Sequence, residues 1–152
     1  APSKTFNIPG LGCSFAVIPD SQLRKSFRQA AAGIVPFVNA LGYTAALAAY
    51  RDGAAWLGAL LDYLRTNRDM VEISVGEMPG LSMNHVEATY LAWIDTRELG
   101  LEEPAKFFED AGVGLSDGAQ FGGPGFLRLN FGCPKVTLEQ ALGRMKSALS
   151  SL

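Results

Sequence analysis

Residues 53 to 78 carry the most regular apolar pattern in the chain and constrain its fold more than any other stretch. Their large apolar side chains recur at intervals of three, four or seven, at Leu57, Leu60, Leu61, Leu64, Val71, Val75 and Met78. Because this spacing places them on one face, it predicts a long amphipathic helix that Pro79 and Gly80 end. At about 1.5 Å per residue such a helix spans about 40 Å, which indicates a connector between two bodies.

The part of the chain before this helix predicts one strand and two further helices. The run "CSFAVIPD", residues 13 to 20, is mostly apolar and is bounded by proline, which predicts a buried strand. Asp20 or Ser21 is suited to cap a helix that runs from Gln22 to about Ala32. An alanine-rich helix is predicted from about Pro36 to Tyr50.

After the long helix, strand-like and helical patterns alternate. Strands are predicted for "ATYLAWID" (residues 88 to 95), for a short run within "VGLSDG", and for "FLRLNFG" (residues 126 to 132). Helices are predicted for "EEPAKFFEDA", with Pro104 near its first turn, and for "TLEQALGRMKSALSSL", with Thr137 as N-cap. The chain is thus of mixed α/β composition, and residues 53 to 152 are predicted to form an α+β domain.

The composition excludes several classes of function. The chain has 152 residues with 13 basic and 15 acidic side chains, a net charge of −2 and no block of like charges. It therefore lacks the basic surface that nucleic acid or a membrane surface requires. Cys13 and Cys133 belong to no CxxC or Cys/His cluster, so we expect no metal site and a reducing cytoplasmic location. The apolar runs are too short for a membrane span, and the start at Ala1 suggests a fragment or a processed product.

Lys4 and Arg128 are the two side chains for which a functional and a structural reading both stay open. On the pattern alone, Lys4 is an ordinary surface lysine and Arg128 faces outward on a half-solvated strand. The glycine-rich loop "QFGGPGF", residues 120 to 126, lacks the GK[ST] sequence of a phosphate loop. It is either a flexible cover beside Arg128 or a plain connection. His85 has no partner cluster and receives no role, and Trp93 is expected in the core.

Three segments of the sequence resemble one enzyme family. The segment "APSKTFNIPGL" resembles the cofactor-lysine segment of fold-type-I pyridoxal-phosphate enzymes, and "ATYLAWID" and "FLRLNFGCP" follow it in the matching order. Together they resemble the MalY/PatB subgroup, the cystathionine β-lyase-like branch of the class I/II aminotransferases. The resemblance implies that the chain is the C-terminal portion of such an enzyme. Residues 1 to 50 would be a remnant of its large cofactor-binding domain, and residues 51 to 152 its small α+β domain.

The resemblance also implies roles for three side chains. Lys4 would hold pyridoxal 5′-phosphate as a Schiff base and, once freed by the substrate amine, act as general base at Cα. Ser3 would donate a hydrogen bond to the cofactor phosphate. Arg128 would bind the substrate α-carboxylate through two parallel hydrogen bonds. Two positions depart from many relatives, Ala1 where a phosphate-binding serine is common and Gly12 where an arginine is common, so further phosphate contacts are expected from outside this segment.

The implied activity is a carbon–sulfur β-elimination on cystathionine or cysteine-like amino acids that releases pyruvate, ammonia and a thiol. An aminotransferase on the same fold would use the same lysine and arginine, so this alternative stays open. A truncated α+β module without turnover of its own is the third possibility. The expected partners are a small amino-acid substrate and a second copy of the full-length enzyme in a homodimer, with no nucleic acid, membrane or metal.

Overall fold

The computed structural model describes every residue from Ala1 to Leu152. The α-helices, in chain order, are α1 (Pro2–Thr5), α2 (Ser21–Ala31), α3 (Ala40–Asp52), α4 (Ala54–Gly76), α5 (Pro104–Asp110) and α6 (Lys135–Leu149). The strands are β1 (Ser82–Met83), β2 (Leu91–Asp95), β3 (Ser116–Asp117) and β4 (Phe126–Asn130). None of the helices combines the length and the apolar character that crossing a membrane requires.

The chain divides into two compact units, unit 1 (Ala1–Leu60) and unit 2 (Leu61–Leu152). The division falls inside α4, the helix that the apolar pattern of residues 53 to 78 predicts. The sequence prediction placed a domain boundary earlier, between residues 50 and 51. Whether the units correspond to the large and small domains of the enzyme family stays a prediction.

Unit 1 is helical, and two of its helices, α2 and α3, begin at capping side chains. The Asp20 carboxylate accepts a hydrogen bond from the N–H of Leu23 at 2.7 Å, as predicted for the start of α2. The side-chain oxygen of Asn39 accepts one from the N–H of Gly42 at 2.8 Å and starts α3. Helix α3 therefore begins four residues later than the sequence pattern indicates, because the first available cap lies at Asn39.

The strand predicted for residues 13 to 20 is wrong. These residues pair with no other segment, and Phe15 and Val17 are exposed rather than buried. A strand needs a neighbour that takes up its backbone N–H and C=O groups. All four strands of the sheet come from residues 82 to 130, so within this chain the segment has no such neighbour.

Unit 2 is built around a four-stranded antiparallel sheet with the strand order β1-β2-β4-β3. Strand β4 lies between its neighbours and alternates, with Leu127 and Leu129 buried and Arg128 half-buried on the opposite face. The same period of two on β2 buries Ala92 and Ile94. The sheet thus has one core face and one face that displays Arg128.

The core of unit 2 lies between that sheet and helices α4, α5 and α6. Its fully buried members include side chains from each element, namely Val71, Val75, Ile94, Phe108, Leu127, Phe131, Leu138 and Met145. Deleting a buried aromatic ring such as that of Phe108 typically lowers the free energy of unfolding by about 3–5 kcal/mol. Unit 2 therefore has the closed hydrophobic core that is needed to hold a sheet-borne site in place.

Helix α6 begins two residues before the predicted N-cap, so the assignment of Thr137 is wrong. Pro134 occupies the N-cap position with φ −56°, a value that its ring already imposes. The N–H of Lys135 donates to the phenol oxygen of Tyr63 at 2.6 Å. A side chain from α4 therefore satisfies the first helical N–H, and no local capping box is required.

Candidate functional site

Lys4 lies on α1, a single helical turn that is anchored on both sides of it. Pro2 is buried, and the ring of Phe6 packs edge-on to Tyr50 at 5.5 Å and stacks on Trp56 at 6.2 Å between ring centres. The N–H of Phe6 donates to the carbonyl of Pro2 at 2.9 Å. These contacts hold the turn while Lys4 itself stays exposed. The backbone of the candidate lysine is thus fixed although its side chain is accessible.

The amine of Lys4 has no carboxylate partner. No acidic side chain lies within 4.0 Å of its Nζ, whereas three of the other four lysines form ion pairs, at Lys106, Lys135 and Lys146. Ser3 precedes it, and its side chain is half-exposed, while its carbonyl accepts the N–H of Ile8 at 2.9 Å. Ser3 and Lys4 therefore present a hydroxyl and an unpaired amine from neighbouring positions, which are the groups a carbonyl cofactor with a phosphate requires.

Arg128 occupies the middle of β4, on the face of the sheet opposite the core. Across the ladder it is opposite Trp93 of β2 on one side and Ser116 of β3 on the other. One terminal nitrogen of the guanidinium, Nη2, donates to the Ser116 hydroxyl at 3.2 Å. The guanidinium carbon lies 4.2 Å from the centre of the Phe121 ring. A hydroxyl and an aromatic face therefore hold a planar cation from two directions.

The guanidinium of Arg128 has no anion in this chain. Every other arginine of unit 2 donates to a carboxylate or to a backbone carbonyl, at Arg65, Arg68, Arg97 and Arg144. A half-buried arginine held by neutral groups keeps most of its donors for an external acceptor. Carboxylates and phosphates match the geometry of that fork. The arrangement therefore leaves this guanidinium able to accept an external anion.

One carboxylate lies on the same sheet face but is engaged elsewhere. Asp95, at the end of β2, forms an ion pair with Arg97 at 2.6 Å. The side chain and the backbone N–H of Arg97 both donate to Asp95 and lower the pKa of its carboxyl to about 2. Asp95 is therefore ionised at neutral pH and committed to Arg97. This pairing leaves Arg128 uncompensated and removes Asp95 as a proton donor.

Hydrogen bonds among its own residues fix the backbone of the turn that carries Phe121. Asp117 accepts the N–H of Ala119 at 2.9 Å and starts the 3-10 helix Gly118–Phe121. Gly122 ends that helix with φ +79°, a left-handed backbone conformation that residues with a Cβ rarely adopt. The N–H of Gly123 then donates to the carbonyl of Gly118 at 2.9 Å. Because this turn places the Phe121 ring against the guanidinium of Arg128, the structure favours the first of the two alternatives for the glycine-rich loop, a cover beside Arg128.

Trp93 is not in the core, contrary to the sequence expectation. It is 36 % exposed on the same face as Arg128, stacked on Phe126 at 5.6 Å and edge-on to Phe121 at 6.3 Å between ring centres. The period of two places it outward, because Ala92 and Ile94 face the core. The sequence analysis also missed Ser116 as a neighbour of Arg128, because no local sequence pattern indicates which residues of two adjacent strands lie opposite each other.

The lone histidine has a structural partner. Nδ1 of His85 lies 3.0 Å from one carboxylate oxygen of Glu72, and the N–H of Val86 donates to the other at 2.9 Å. Burial by itself would raise the pKa of Glu72. The hydrogen bonds from Val86 and His85, with the charge of Arg68, outweigh that effect and lower the pKa. Glu72 therefore tethers the loop after β1 to α4, and His85 serves this tether.

The sequence-predicted site residues lie in different units. Ser3 and Lys4 adjoin each other in unit 1, while Arg128 lies in unit 2. No group of three or more histidine, cysteine or acidic side chains is arranged to hold a metal ion. Both cysteines are free thiols, and burial raises the pKa of Cys133. The roles of Ser3, Lys4 and Arg128 stay predictions.

Comparison with known proteins identifies the family. The model of the family described as aminotransferase class I and II matches residues 2–145. Cystathionine β-lyase PatB of Bacillus subtilis is 38 % identical over 161 residues, an alignment that covers 99 % of this chain and 41 % of PatB. PatB is one of the two proteins after which the resembling subgroup is named. The sequence resemblance is therefore confirmed.

Solved structures agree with that identification. The crystal structure of OvoB superposes with a TM-score of 0.96 at 54 % identity and covers 99 % of this chain and 40 % of OvoB. Cystalysin from Treponema denticola, whose crystal structure contains a pyridoxal 5′-phosphate cofactor, gives a TM-score of 0.91 at 31 % identity, with coverage of 99 % and 40 %. The α+β prediction for the sheet-containing part is confirmed. The chain spans about 40 % of the length of these relatives, and it belongs to the class I and II aminotransferase family.

Proposed function

We propose that this chain is the portion of a pyridoxal-phosphate-dependent carbon–sulfur β-lyase that supplies the cofactor lysine and the arginine for the substrate carboxylate. The observation that carries the proposal is the guanidinium of Arg128, which Ser116 and Phe121 hold without any anion of the chain to neutralise it. Three findings support the proposal: the chain belongs to the family, PatB is named as a cystathionine β-lyase, and the cystalysin structure contains pyridoxal 5′-phosphate. The remaining length of the relatives would supply the other parts of the cofactor pocket.

The residues of unit 1 fit the cofactor. Lys4 would hold it covalently through Nζ, because an accessible amine without a carboxylate partner can reach an aldehyde and attack it in its neutral form. Ser3 would donate its hydroxyl to the phosphate. Neither residue is engaged by another side chain of the chain, so no existing contact has to break before the cofactor binds.

Arg128 would bind the α-carboxylate of the amino acid. A planar guanidinium forms two parallel hydrogen bonds to a carboxylate and so fixes both its position and its orientation. Because the Ser116 contact uses one hydrogen of Nη2, the fork keeps donors for a bidentate pair. Arg128 thereby selects α-amino acids and holds Cα in a defined orientation.

The chemistry then needs one proton moved at Cα and one bond broken at Cβ. The chemistry that the bound cofactor would supply is a sink for the electrons released at Cα. Once the substrate amine has displaced it from the cofactor, Lys4 Nζ would accept the Cα proton as general base, while Arg128 keeps the carboxylate in place. The carbon–sulfur bond breaks with its electron pair on sulfur, which takes up a proton and leaves as a thiol. Water completes the conversion of the three-carbon remainder to pyruvate and ammonia.

An aminotransferase is the second candidate, because the matching family model carries that description. The same lysine and arginine serve both reactions, so these residues do not separate them. Incubation of the longer protein that contains this chain with L-cystathionine distinguishes the two. Pyruvate and ammonia formed without a keto-acid acceptor identify the lyase. Product formation that depends on an added keto acid identifies the aminotransferase.

The assignment of Lys4 is tested by borohydride reduction of the cofactor-loaded longer protein, followed by peptide mapping. We expect the pyridoxyl label on the peptide that contains Lys4. Lys4→Arg should abolish the label. Lys25→Arg should leave it, since Lys25 is the other exposed lysine of unit 1 without an ion-pair partner. A label on any lysine other than Lys4 contradicts the proposal.

The same proposal covers domain organisation, assembly and location. Residues 1 to 50 would belong to a large cofactor-binding domain and residues 51 to 152 to a small domain, with α4 leading from one to the other. The longer protein would be a homodimer that acts on a small amino acid. The free thiols Cys13 and Cys133 are compatible with the reducing cytoplasm. Sedimentation of the longer protein as a monomer would contradict the dimer.

A further inference from the structure

The loop between β3 and β4 places an aromatic ring against the arginine proposed to bind the substrate. Phe121 is half-exposed, and its ring centre lies 4.2 Å from the guanidinium carbon of Arg128. An exposed phenylalanine that contributes little to the core needs another reason for its place. Stacking on a guanidinium is favourable and leaves the donors in the plane of the cation free for an anion.

The surrounding turn keeps that ring in position. The side chain of Asp117 caps the 3-10 helix that ends at Phe121, and Gly122 reverses the chain directly after it. A Cβ at Gly118 would collide with the carbonyl oxygens of Gly123 and Phe126, so the turn closes tightly only with glycine there. The backbone of the loop therefore fixes the point from which the Phe121 side chain starts, and the edge-on contact with Trp93 at 6.3 Å further constrains its ring.

Ser116 constrains the same guanidinium from the other side. It is opposite Arg128 in the ladder of β3 and β4, and its hydroxyl accepts a hydrogen bond from Nη2 at 3.2 Å. With no carboxylate nearby that is free to bind, these two neutral contacts are what orders the side chain. A long side chain ordered before binding loses less conformational freedom when the ligand arrives.

We propose that Phe121 and Ser116 are positioning residues that hold the Arg128 guanidinium ready for the α-carboxylate of the substrate. This inference rests on the proposed role of Arg128. The contact between Arg128 and the carboxylate is present in the bound substrate and in the transition state. Loss of the pre-ordering therefore weakens the binding of substrate and transition state equally. Such a change raises KM and leaves kcat unaltered.

The kinetic test uses the cofactor-loaded longer protein with L-cystathionine as substrate. Phe121→Leu and Ser116→Ala should each raise KM about threefold to tenfold, the range expected when one long side chain must be ordered on binding. The conservative variants Phe121→Tyr and Ser116→Thr should keep KM within about twofold of the wild type, since they keep the ring and the hydroxyl. Phe107→Leu, which removes a half-buried ring on α5, is the matched control and should leave KM unchanged.

A double variant separates this inference from the proposed function. In an Arg128→Lys background, Phe121→Leu should have no further effect on KM, because no planar cation remains for the ring to hold. A full additional increase there overturns the positioning role but leaves the role of Arg128 intact. If Arg128→Lys by itself leaves KM unchanged, the proposed carboxylate site is wrong, and the positioning role falls with it.

A measurement without turnover completes the test. In protein labelled with ¹⁵N-arginine, the side-chain Nε of Arg128 should be as ordered as a rigid backbone group, with an order parameter of about 0.85. In Phe121→Leu it should fall below about 0.6, whereas Phe107→Leu should not change it. An Arg128 side chain that is equally ordered with and without the Phe121 ring overturns the inference, whichever reaction the protein catalyses.

Discussion

Asn67 offers the sharpest test of how unit 2 holds the strand that carries Arg128. It lies in the buried stripe of α4 and is fully buried. Its side-chain nitrogen donates to the backbone carbonyls of Phe131 and Cys133, both at 2.9 Å, while its side-chain oxygen has no partner. One amide group thus ties α4 to the chain directly after β4. The informative perturbation is Asn67→Asp, which keeps the shape and, once the carboxyl is ionised, removes both donors.

The expected loss follows from these two hydrogen bonds. Each contributes about 1 kcal/mol net, and leaving the buried carbonyl of Phe131 without its donor costs about 1 kcal/mol or more in addition. The lost hydrogen bonds sum to about 3 kcal/mol, which by itself corresponds to about a hundredfold change in a local opening constant. The unpartnered oxygen offsets none of this, because it is unsatisfied in the wild type as well.

Hydrogen exchange followed by mass spectrometry measures the effect locally, in the chain itself or in a longer protein. Peptides that cover β4 and the middle of α4 should exchange about a hundredfold faster in Asn67→Asp. Asn130→Asp is the matched control, because Asn130 uses its oxygen to accept the N–H of Gly132 at 2.8 Å, and a carboxylate still accepts. An acceleration below tenfold at Asn67, or an equal effect at Asn130, would refute the reasoning.

The Asn67→Asp variant also carries a pH signature. Burial raises the pKa of the introduced carboxyl above its value of about 4 in the unfolded chain. A group whose folded pKa is raised stabilises the fold below the unfolded pKa, and this contribution is lost as pH rises through the folded pKa. After correction for intrinsic exchange rates, the difference from the wild type should therefore grow from about pH 4 upward. A difference that shrinks with rising pH would contradict the assignment.

Three further predictions concern the sheet face and its loops. Gly118→Ala should disrupt the turn that carries Phe121 and lower the melting temperature, because the new Cβ meets backbone carbonyls. Gly114→Ala is the control and should leave the melting temperature unchanged, because nothing lies within 4 Å of a Cβ at that position. By carbon-detected NMR, Asp95 should titrate with a pKa of about 2, and Arg97→Gln should return that pKa toward the ordinary value. Because the pKa of Asp95 is lowered on folding, its small contribution to stability is present above the unfolded pKa and is lost as pH falls through about 2. Glu72→Ala should remove exchange protection from the loop after β1, since the tether to α4 is then absent, and unchanged protection there would contradict the tether.

Features that depend on near neighbours in the chain could be predicted from the sequence. The apolar spacing of residues 53 to 78 predicts α4, and the alternation around Arg128 predicts β4. The cap at Asp20 and the proline at the start of α5 are as predicted. In each case the cause is local, either a period matched to one element or a side chain that satisfies a backbone group within three residues.

Features that depend on residues far away in the sequence could not be predicted from the sequence. The segment at residues 13 to 20 has the composition of a strand but no partner strand in this chain. The first N–H of α6 is satisfied by Tyr63, far away in the sequence, so a search for a local cap selects Thr137. Asn67 looks like a polar interruption of the apolar stripe until the carbonyls it binds are known.

The same distinction between local and distant contacts applies to the candidate site. The sequence by itself determined which side chains are candidates, because the segments around Lys4 and Arg128 carry a recognisable order of residue types. Only the tertiary structure decided the surroundings of Arg128: Ser116 and Phe121 contact it, and Arg97 occupies Asp95, the carboxylate on its own face. These contacts cross strands and loops, and their energies depend on three-dimensional distance, which no local pattern of residues encodes.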